Sequence, residues 1–192
     1  MNTRDTLYNT YVSVQKNNPD KVALYTRRGE AITHGMLLEE IDKAAAALLS
    51  YKTGDSLKVG VLSLCSYEEA VFLLAASKIG AVSKFVDITK NVTEIGESIA
   101  ESSVNVLVME DMLLPIEQYI NPSALPVIVL GKVENERPNY CAYRDFLQSA
   151  DACFCQSVKY RENACAAVIS SSGTTGTPKP IELSDRAINA AV

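Results

Sequence analysis

Between Ser170 and Thr177 the chain places six hydroxyl side chains and two glycines, and Pro178 and Lys179 follow at once. Gly173 and Gly176 permit a tight bend whose backbone N–H groups can turn inward, a geometry that concentrates donors on an anion. Ser171, Ser172, Thr174 and Thr175 add hydroxyl donors suited to phosphate oxygens, and Lys179 adds a mobile positive charge. At about 1.5–3 kcal/mol for each charge-assisted hydrogen bond, four or five would hold a polyphosphate against its desolvation.

A flexible Ser/Gly linker has a similar composition. Against that reading stand the strand-like "ACAAVIS" before the run, the rigid Pro178 within it, and the apolar "IEL" after it, with a helix start at Ser184. The Walker phosphate loop also fails to fit. It needs a glycine directly before the lysine and Ser or Thr directly after, whereas Gly176 and Lys179 are separated by two residues and Pro180 follows.

The elements that would carry this run alternate. "KVALYTRRGEAITH" predicts two short strands joined at Arg27 to Glu30, with Gly29 taking the positive φ of the turn. Leu37, Ile41, Ala45 and Leu48 then recur at helical spacing from a start at Thr33 or His34, until Gly54 and Asp55 break the pattern. "KVGVLSL" is the near-continuous apolar run of a strand buried on both faces. Ser66 and Glu69 have capping-box spacing before a helix that stops at Gly80. "AVSKFVDI" reads as a strand, "NVTEIGESIAES" as a helix entered at Asn91 and Glu94, and "VNVLVME" as a strand. "MLLPIEQYI" is helical around Pro115, "PVIVL" a strand, "YRDFLQS" a short helix and "ACAAVIS" a final strand, with 131–140 a surface loop. Strand and helix alternating at this pace predict an α/β three-layer sandwich, with a mostly parallel sheet and an N-terminal β-hairpin. The hydroxyl-rich run then falls at the C-terminal end of a strand, where open α/β sheets bind their ligands.

Composition narrows the rest. The 192 residues are 47% hydrophobic with a net charge of -5, enough apolar material for one globular unit. An acidic chain without a Lys/Arg cluster excludes binding by neutralisation of nucleic-acid phosphates. The apolar runs are far shorter than the roughly 20 residues of a membrane span, and the polar start has no signal-peptide core, so a cytoplasmic protein is expected. Cys65, Cys141, Cys153, Cys155 and Cys165 make an odd count that suits free thiols. Cys153 and Cys155 form a lone C-x-C with no second pair, and a structural metal would need four ligands, so none is expected. His34, the single histidine, reads as a helix-start residue and not as a base.

At "SSGTTGTPKPIELSD" the sequence resembles the AMP-forming (adenylate-forming) ligase superfamily, which includes acyl-CoA synthetases and the adenylation domains of peptide synthetases. The family pattern runs Ser/Thr-Ser-Gly-Ser/Thr-Thr-Gly-x-Pro-Lys-Gly-Val/Ile-x-Leu-Ser/Thr-His. Agreement spans Ser171 through Lys179 and resumes at Ile181, Leu183 and Ser184. Pro180 stands where the family has glycine and removes a backbone donor beside the lysine; Asp185 stands where it has histidine and is expected to put an anion near the site. "NNPDKVALYTRRGEAITHGMLLEEIDKAAAALL" and "GDSLKVGVLSLCSYEEAVFLLAASKIGAVSKFVDI" are more loosely similar to the family's opening segments, so the likeness covers nearly the whole chain.

The resemblance implies an acyl-CoA synthetase-like enzyme whose carboxylic acid attacks the α-phosphorus of ATP, expels pyrophosphate, and then passes from AMP to a thiol of CoA or a carrier protein. Ser171, Ser172, Gly173, Thr174, Thr175, Gly176 and Lys179 would hold the β- and γ-phosphates, by position and charge and without a nucleophile. ATP with Mg2+ and CoA are the implied cofactor and co-substrate. The family's adenine pocket, acyl pocket, magnesium-binding glutamate and catalytic lysine lie beyond the point corresponding to Val192. The chain is therefore expected to be an N-terminal piece that needs the remainder of the ligase and forms no acyl-adenylate alone. A part of an amino-acid-activating adenylation domain, or a non-catalytic phosphate-binding scaffold, are the alternatives.

Overall fold

The computed structural model describes residues 5–64, 66–133, 137–150, 157–170 and 179–191. Helix α1 (Leu7–Gln15) precedes a hairpin of β1 (Val22–Tyr25) and β2 (Ala31–Thr33), and α2 (His34–Leu48) follows directly. Then come β3 (Lys58–Leu62), α3 (Tyr67–Ile79), β4 (Val82–Phe85), α4 (Val92–Ser102) and β5 (Val106–Glu110). A 3-10 segment (Asp111–Ile116) leads into α5 (Glu117–Ile120), β6 (Val127–Leu130), β7 (Tyr140–Ala142) and α6 (Tyr143–Gln148). The last elements are β8 (Cys165–Ser170), β9 (Pro180–Ser184) and α7 (Asp185–Ala191).

Seven strands form one sheet in the order β7-β6-β5-β3-β4-β8-β9, parallel throughout except that β9 runs antiparallel to β8. The hairpin forms its own two-stranded sheet, with Gly29 at φ 79° in its turn. The strand period of two sorts the core into two layers. Val59, Val61, Val106, Val108, Ile128 and Leu130 pack under α2, α3 and α6 with Ile41, Phe72 and Phe146. Leu62, Leu107, Met109, Val127 and Val129 pack on the other face under Ile95 and Ile99 of α4 and Ile120 of α5. Each fully buried aliphatic side chain contributes about 1.5–3 kcal/mol, so the sheet is fixed from both sides. The architecture is the expected three-layer α/β sandwich with a mostly parallel sheet.

Local signals explain most boundaries. Thr33 caps α2 by accepting from Met36 N. Asn91 and Glu94 complete a reciprocal capping box at α4. Gly80 ends α3 in the left-handed region, at φ 71°. The Ser66–Glu69 capping box does not form in this way. Ser66 holds the N-cap position, but its hydroxyl makes no capping bond and instead lies 3.0 Å from that of Ser63.

Three other expectations need correction. "ACAAVIS" is not the last strand, because the apolar residues after the run form β9 against it. Tyr140 opens a short strand on β6 and does not end a loop. The segment around Pro115 is a 3-10 turn before it becomes α-helical, consistent with a proline that cannot donate to an α-helical ladder. The polar N-terminal stretch contains α1, which Thr6 caps locally by accepting from Asn9 N at 3.1 Å and which distant partners tie to the rest of the chain.

Those partners revise the role of Asp185. The residue is 7% exposed, and its Oδ1 accepts from Leu7 N at 2.8 Å and from Ser77 Oγ at 2.9 Å. The carboxylate therefore faces the first turn of α1, where the unpaired N–H groups and the helix dipole favour a negative charge. Asn189 Nδ2 donates to Asp5 O at 2.9 Å and completes the seam. The anion expected near the phosphate run is committed to α1 and α3. Next to Ser77, Lys78 Nζ pairs with Asp42 Oδ1 at 3.0 Å against the Tyr8 ring, and Tyr8 Oη donates to the same oxygen at 2.9 Å.

Replacing Asp185 by Ala leaves the Leu7 amide and the Ser77 hydroxyl buried without an acceptor. It is expected to cost about 1–3 kcal/mol, with Asp185→Asn costing less. A urea titration of the three proteins checks this, and an unchanged midpoint for Asp185→Ala would remove Asp185 from the account of α1.

Candidate functional site

In an open parallel sheet, chemistry collects at the C-terminal strand ends, most often where successive connections diverge to opposite sides. Here the chain passes from β3 to β4 on one side and then places β5, β6 and β7 on the other, so the divergence lies between β3 and β5. That crevice is filled by the protein itself. Glu110, the last residue of β5 and 5% exposed, receives Arg27 in a two-pronged pair, Nη1 to Oε2 at 2.8 Å and Nη2 to Oε1 at 2.7 Å. Ser63 Oγ and the Leu64 amide, just past β3, each donate to Oε1 at 2.6 Å. Arg27 also donates to the Leu64 carbonyl.

Arg27 lies in the turn of the hairpin, so this cluster clamps the small sheet onto the ends of β3 and β5. The Arg27 guanidinium, with help from Ser63 and the Leu64 amide, holds the Glu110 carboxyl down to about 2 despite burial. It also explains Ser66, whose hydroxyl is drawn into the Ser63–Glu110 network and away from its own helix.

With that half of the sheet end occupied, the β4–β8 half remains. β8 ends at Ser170, where the hydroxyl-rich run begins. Ser171, Ser172, Gly173, Thr174, Thr175 and Gly176 lie outside the described residues, as do Cys153 and Cys155. The residues that flank the run are placed: Ser170 and Pro180 are cross-strand partners in the β8–β9 ladder. The run thus begins and ends at one point of the sheet, at the C-terminal end of a parallel strand. Lys179, exposed, stands beside this junction at the start of β9. Pro180 is the first residue of an edge strand, a position where a missing N–H is tolerated.

Beneath the junction sits Lys84, 5% exposed on β4 opposite Val168 of β8, with Nζ donating to Ser170 Oγ at 3.2 Å. Arg27, Ser63, Glu110 and Lys84 were not among the sequence candidates. Two signals were present: a lysine inside the apolar "AVSKFVDI" and a glutamate closing "VNVLVME". Their partners, 83 to 86 residues away, have no local signature.

Other candidates have structural roles. His34 is the first residue of α2, and its Nδ1 lies 3.0 Å from Tyr11 Oη. Cys141 and Cys165 are free, and burial pushes both thiols up, the opposite of an activated cysteine. Among the described residues no group of three or more His, Cys, Asp or Glu side chains could hold a metal ion, and no helix is long and apolar enough to cross a membrane.

The lowered Glu110 carboxyl gives the clamp a pH signature. Because its folded value lies below its free value, the stability it supplies is complete above pH 4.5 and drains away as pH falls toward about 2. Glu110→Gln is expected to cost about 3 kcal/mol at neutral pH and to flatten the acid limb of the stability profile. Chemical denaturation at a series of pH values measures both effects.

A family profile described as AMP-binding enzyme matches residues 12–192. The chain is 24% identical over 168 residues to the hybrid PKS-NRPS synthetase thnA of Trichoderma harzianum, covering 88% of this chain and 4% of that protein. It is 25% identical over 170 residues to the long-chain-fatty-acid–CoA ligase ACSBG2 of Rattus norvegicus, covering 82% of this chain and 25% of that protein. It thus spans a quarter or less of either relative. The anthranilate CoA ligase AuaEII, solved with anthranoyl-AMP, superposes with a TM-score of 0.85 at 20% identity, over 97% of this chain and 36% of that one. With the profile covering nearly its full length, the chain belongs to the AMP-binding enzyme family.

Proposed function

We propose that this chain is the N-terminal portion of an ATP-dependent carboxylate-activating ligase, and that it supplies the loop for the β- and γ-phosphates of ATP. The observation that carries this reading is the pairing of Ser170 with Pro180, which returns both ends of the hydroxyl-rich run to the C-terminal end of β8. Hydroxyls and amides between those ends, with Lys179 beside them, would meet the polyphosphate. The substrate carboxylate then attacks the α-phosphorus, the bond to the bridging oxygen breaks, and pyrophosphate leaves with the charge that the loop has neutralised. In the second half-reaction a thiol attacks the acyl carbon and AMP leaves.

Loop residues in this scheme bind and orient; none forms a bond to substrate. Magnesium enters with the nucleotide. The anthranoyl-AMP complex of a fold relative supports the adenylate step, and the rat ligase supports CoA as acceptor. A second reading, an amino-acid-activating adenylation domain that loads a carrier protein, is favoured by the match to a hybrid PKS-NRPS synthetase. Thioester formation with CoA against that with a carrier-protein thiol separates the two.

In the ligase that carries this segment, Lys179→Ala is expected to lower kcat/KM for ATP about 10- to 100-fold while leaving the KM for the acid unchanged. Equal losses for both substrates would contradict the assignment. The isolated 192-residue chain is expected to give no carboxylate-dependent exchange between ATP and pyrophosphate.

A further inference from the structure

Lys84 is a buried base with an unusual environment. Three other bases that reach into the protein each face a carboxylate: Lys78 meets Asp42, Arg27 meets Glu110, and Arg137 meets Glu117. Lys84, as deeply buried as Lys78, forms no ion pair among the described residues. Among the described residues its hydrogen bond is to Ser170 Oγ at 3.2 Å, and an ammonium carries three donors. Glu101 acts on it only at a distance, and burial outweighs that influence and pushes the amine down.

A charge in this position is expensive to fold around unless something pairs with it. The place where a partner could arrive is defined by register. Lys84 lies between Gly60 of β3 and Val168 of β8, so its stem must run along the strands to reach Ser170, two residues nearer their C-terminal ends. Ser170 is only half-buried, and the amine therefore lies one hydroxyl below the surface, at the root of the hydroxyl-rich run.

We propose that Lys84, presented through Ser170, is a second cationic contact for a phosphate oxygen of the bound nucleotide, working from beneath the sheet end while Lys179 works from the exposed side. This rests on reading the run as a phosphate-holding loop. It adds a residue from β4, 95 positions before Lys179, to the recognition of the anion. It also gives a role to a lysine set between Gly60 of β3 and Val168 of β8: the site is completed by its ligand.

The test uses the 192-residue chain with lysine labelled by 13C at Cε, the Lys84 and Lys179 resonances being assigned from Lys84→Met and Lys179→Ala. Inorganic tripolyphosphate is titrated in, with benzoate as a second arm. The proposal expects tripolyphosphate, and not benzoate, to shift both resonances. It expects Lys84→Met to weaken tripolyphosphate binding by about tenfold or more while leaving thermal stability equal or higher, since an unpaired buried charge has been removed. A shift at Lys179 with none at Lys84 would overturn the role of Lys84 and leave the loop reading intact. A shift at Lys84 alone would keep Lys84 and remove Lys179 from the loop. No shift at either would end both. A Lys84 resonance that answers to benzoate would overturn the phosphate assignment, and a lower melting temperature with unchanged affinity for Lys84→Met would make Lys84 a structural residue.

Discussion

A parallel strand buried on both faces can offer chemistry only at its ends. β3, β5 and β6 are closed above and below by two apolar layers, so no side chain in mid-strand is available to a ligand from either face. Everything functional in this chain follows from how its strand ends are filled. The end between β3 and β5, the usual ligand crevice of such sheets, is stopped by the Arg27–Glu110 pair. That leaves the next strand ends, at β4 and β8, where Ser170 and Pro180 bracket the hydroxyl-rich run. The hairpin, which looks peripheral in the chain order, therefore decides where the sheet can bind.

Buried charge organises the molecule in two different ways. Glu110, Asp185 and Lys78 are each satisfied within the chain: by a guanidinium and two further donors, by a helix N-terminus and a hydroxyl, and by a carboxylate under an aromatic ring. Such groups fix relative positions, because a side chain that leaves its partner exposes an uncompensated charge to the core. Lys84 has the burial of these groups and, among the described residues, a hydroxyl partner in place of a carboxylate.

The β-α alternation was legible because parallel strands are written as continuous apolar runs, as in Val59 to Leu62, and because caps such as Asn91 with Glu94 act over three residues. Elements held by distant partners were not. α1 has a weak apolar stripe, and its first turn is secured by Asp185 and Ser77, 178 and 69 residues away. β9 becomes a strand only through pairing with β8, and β7 is three residues on a sheet edge. Ser66 and Glu69 show the converse failure. Their spacing was right for a capping box, but the Glu110 network took the Ser66 hydroxyl first. Of the proposed site, the run and Lys179 are read from residue types alone, whereas Lys84 needs the β4–β8 register to connect it with Ser170.

The two departures from the family pattern now have different physical meanings. Asp185 introduces a negative charge in sequence beside the run, yet both described bonds to it come from α1 and α3, so its field is spent on a helix N-terminus and not on a phosphate. Pro180 stays at the junction, where it stands opposite Ser170 and starts an edge strand. Its missing N–H is a real loss of one donor next to Lys179, and no other backbone group can replace it at that residue. A cation beneath Ser170 offsets such a loss better than a hydroxyl would, because it acts through charge as well as through a directed bond. On the proposed reading, a backbone donor lost at Pro180 on β9 is exchanged for the ammonium of Lys84 on β4, at the other end of the run.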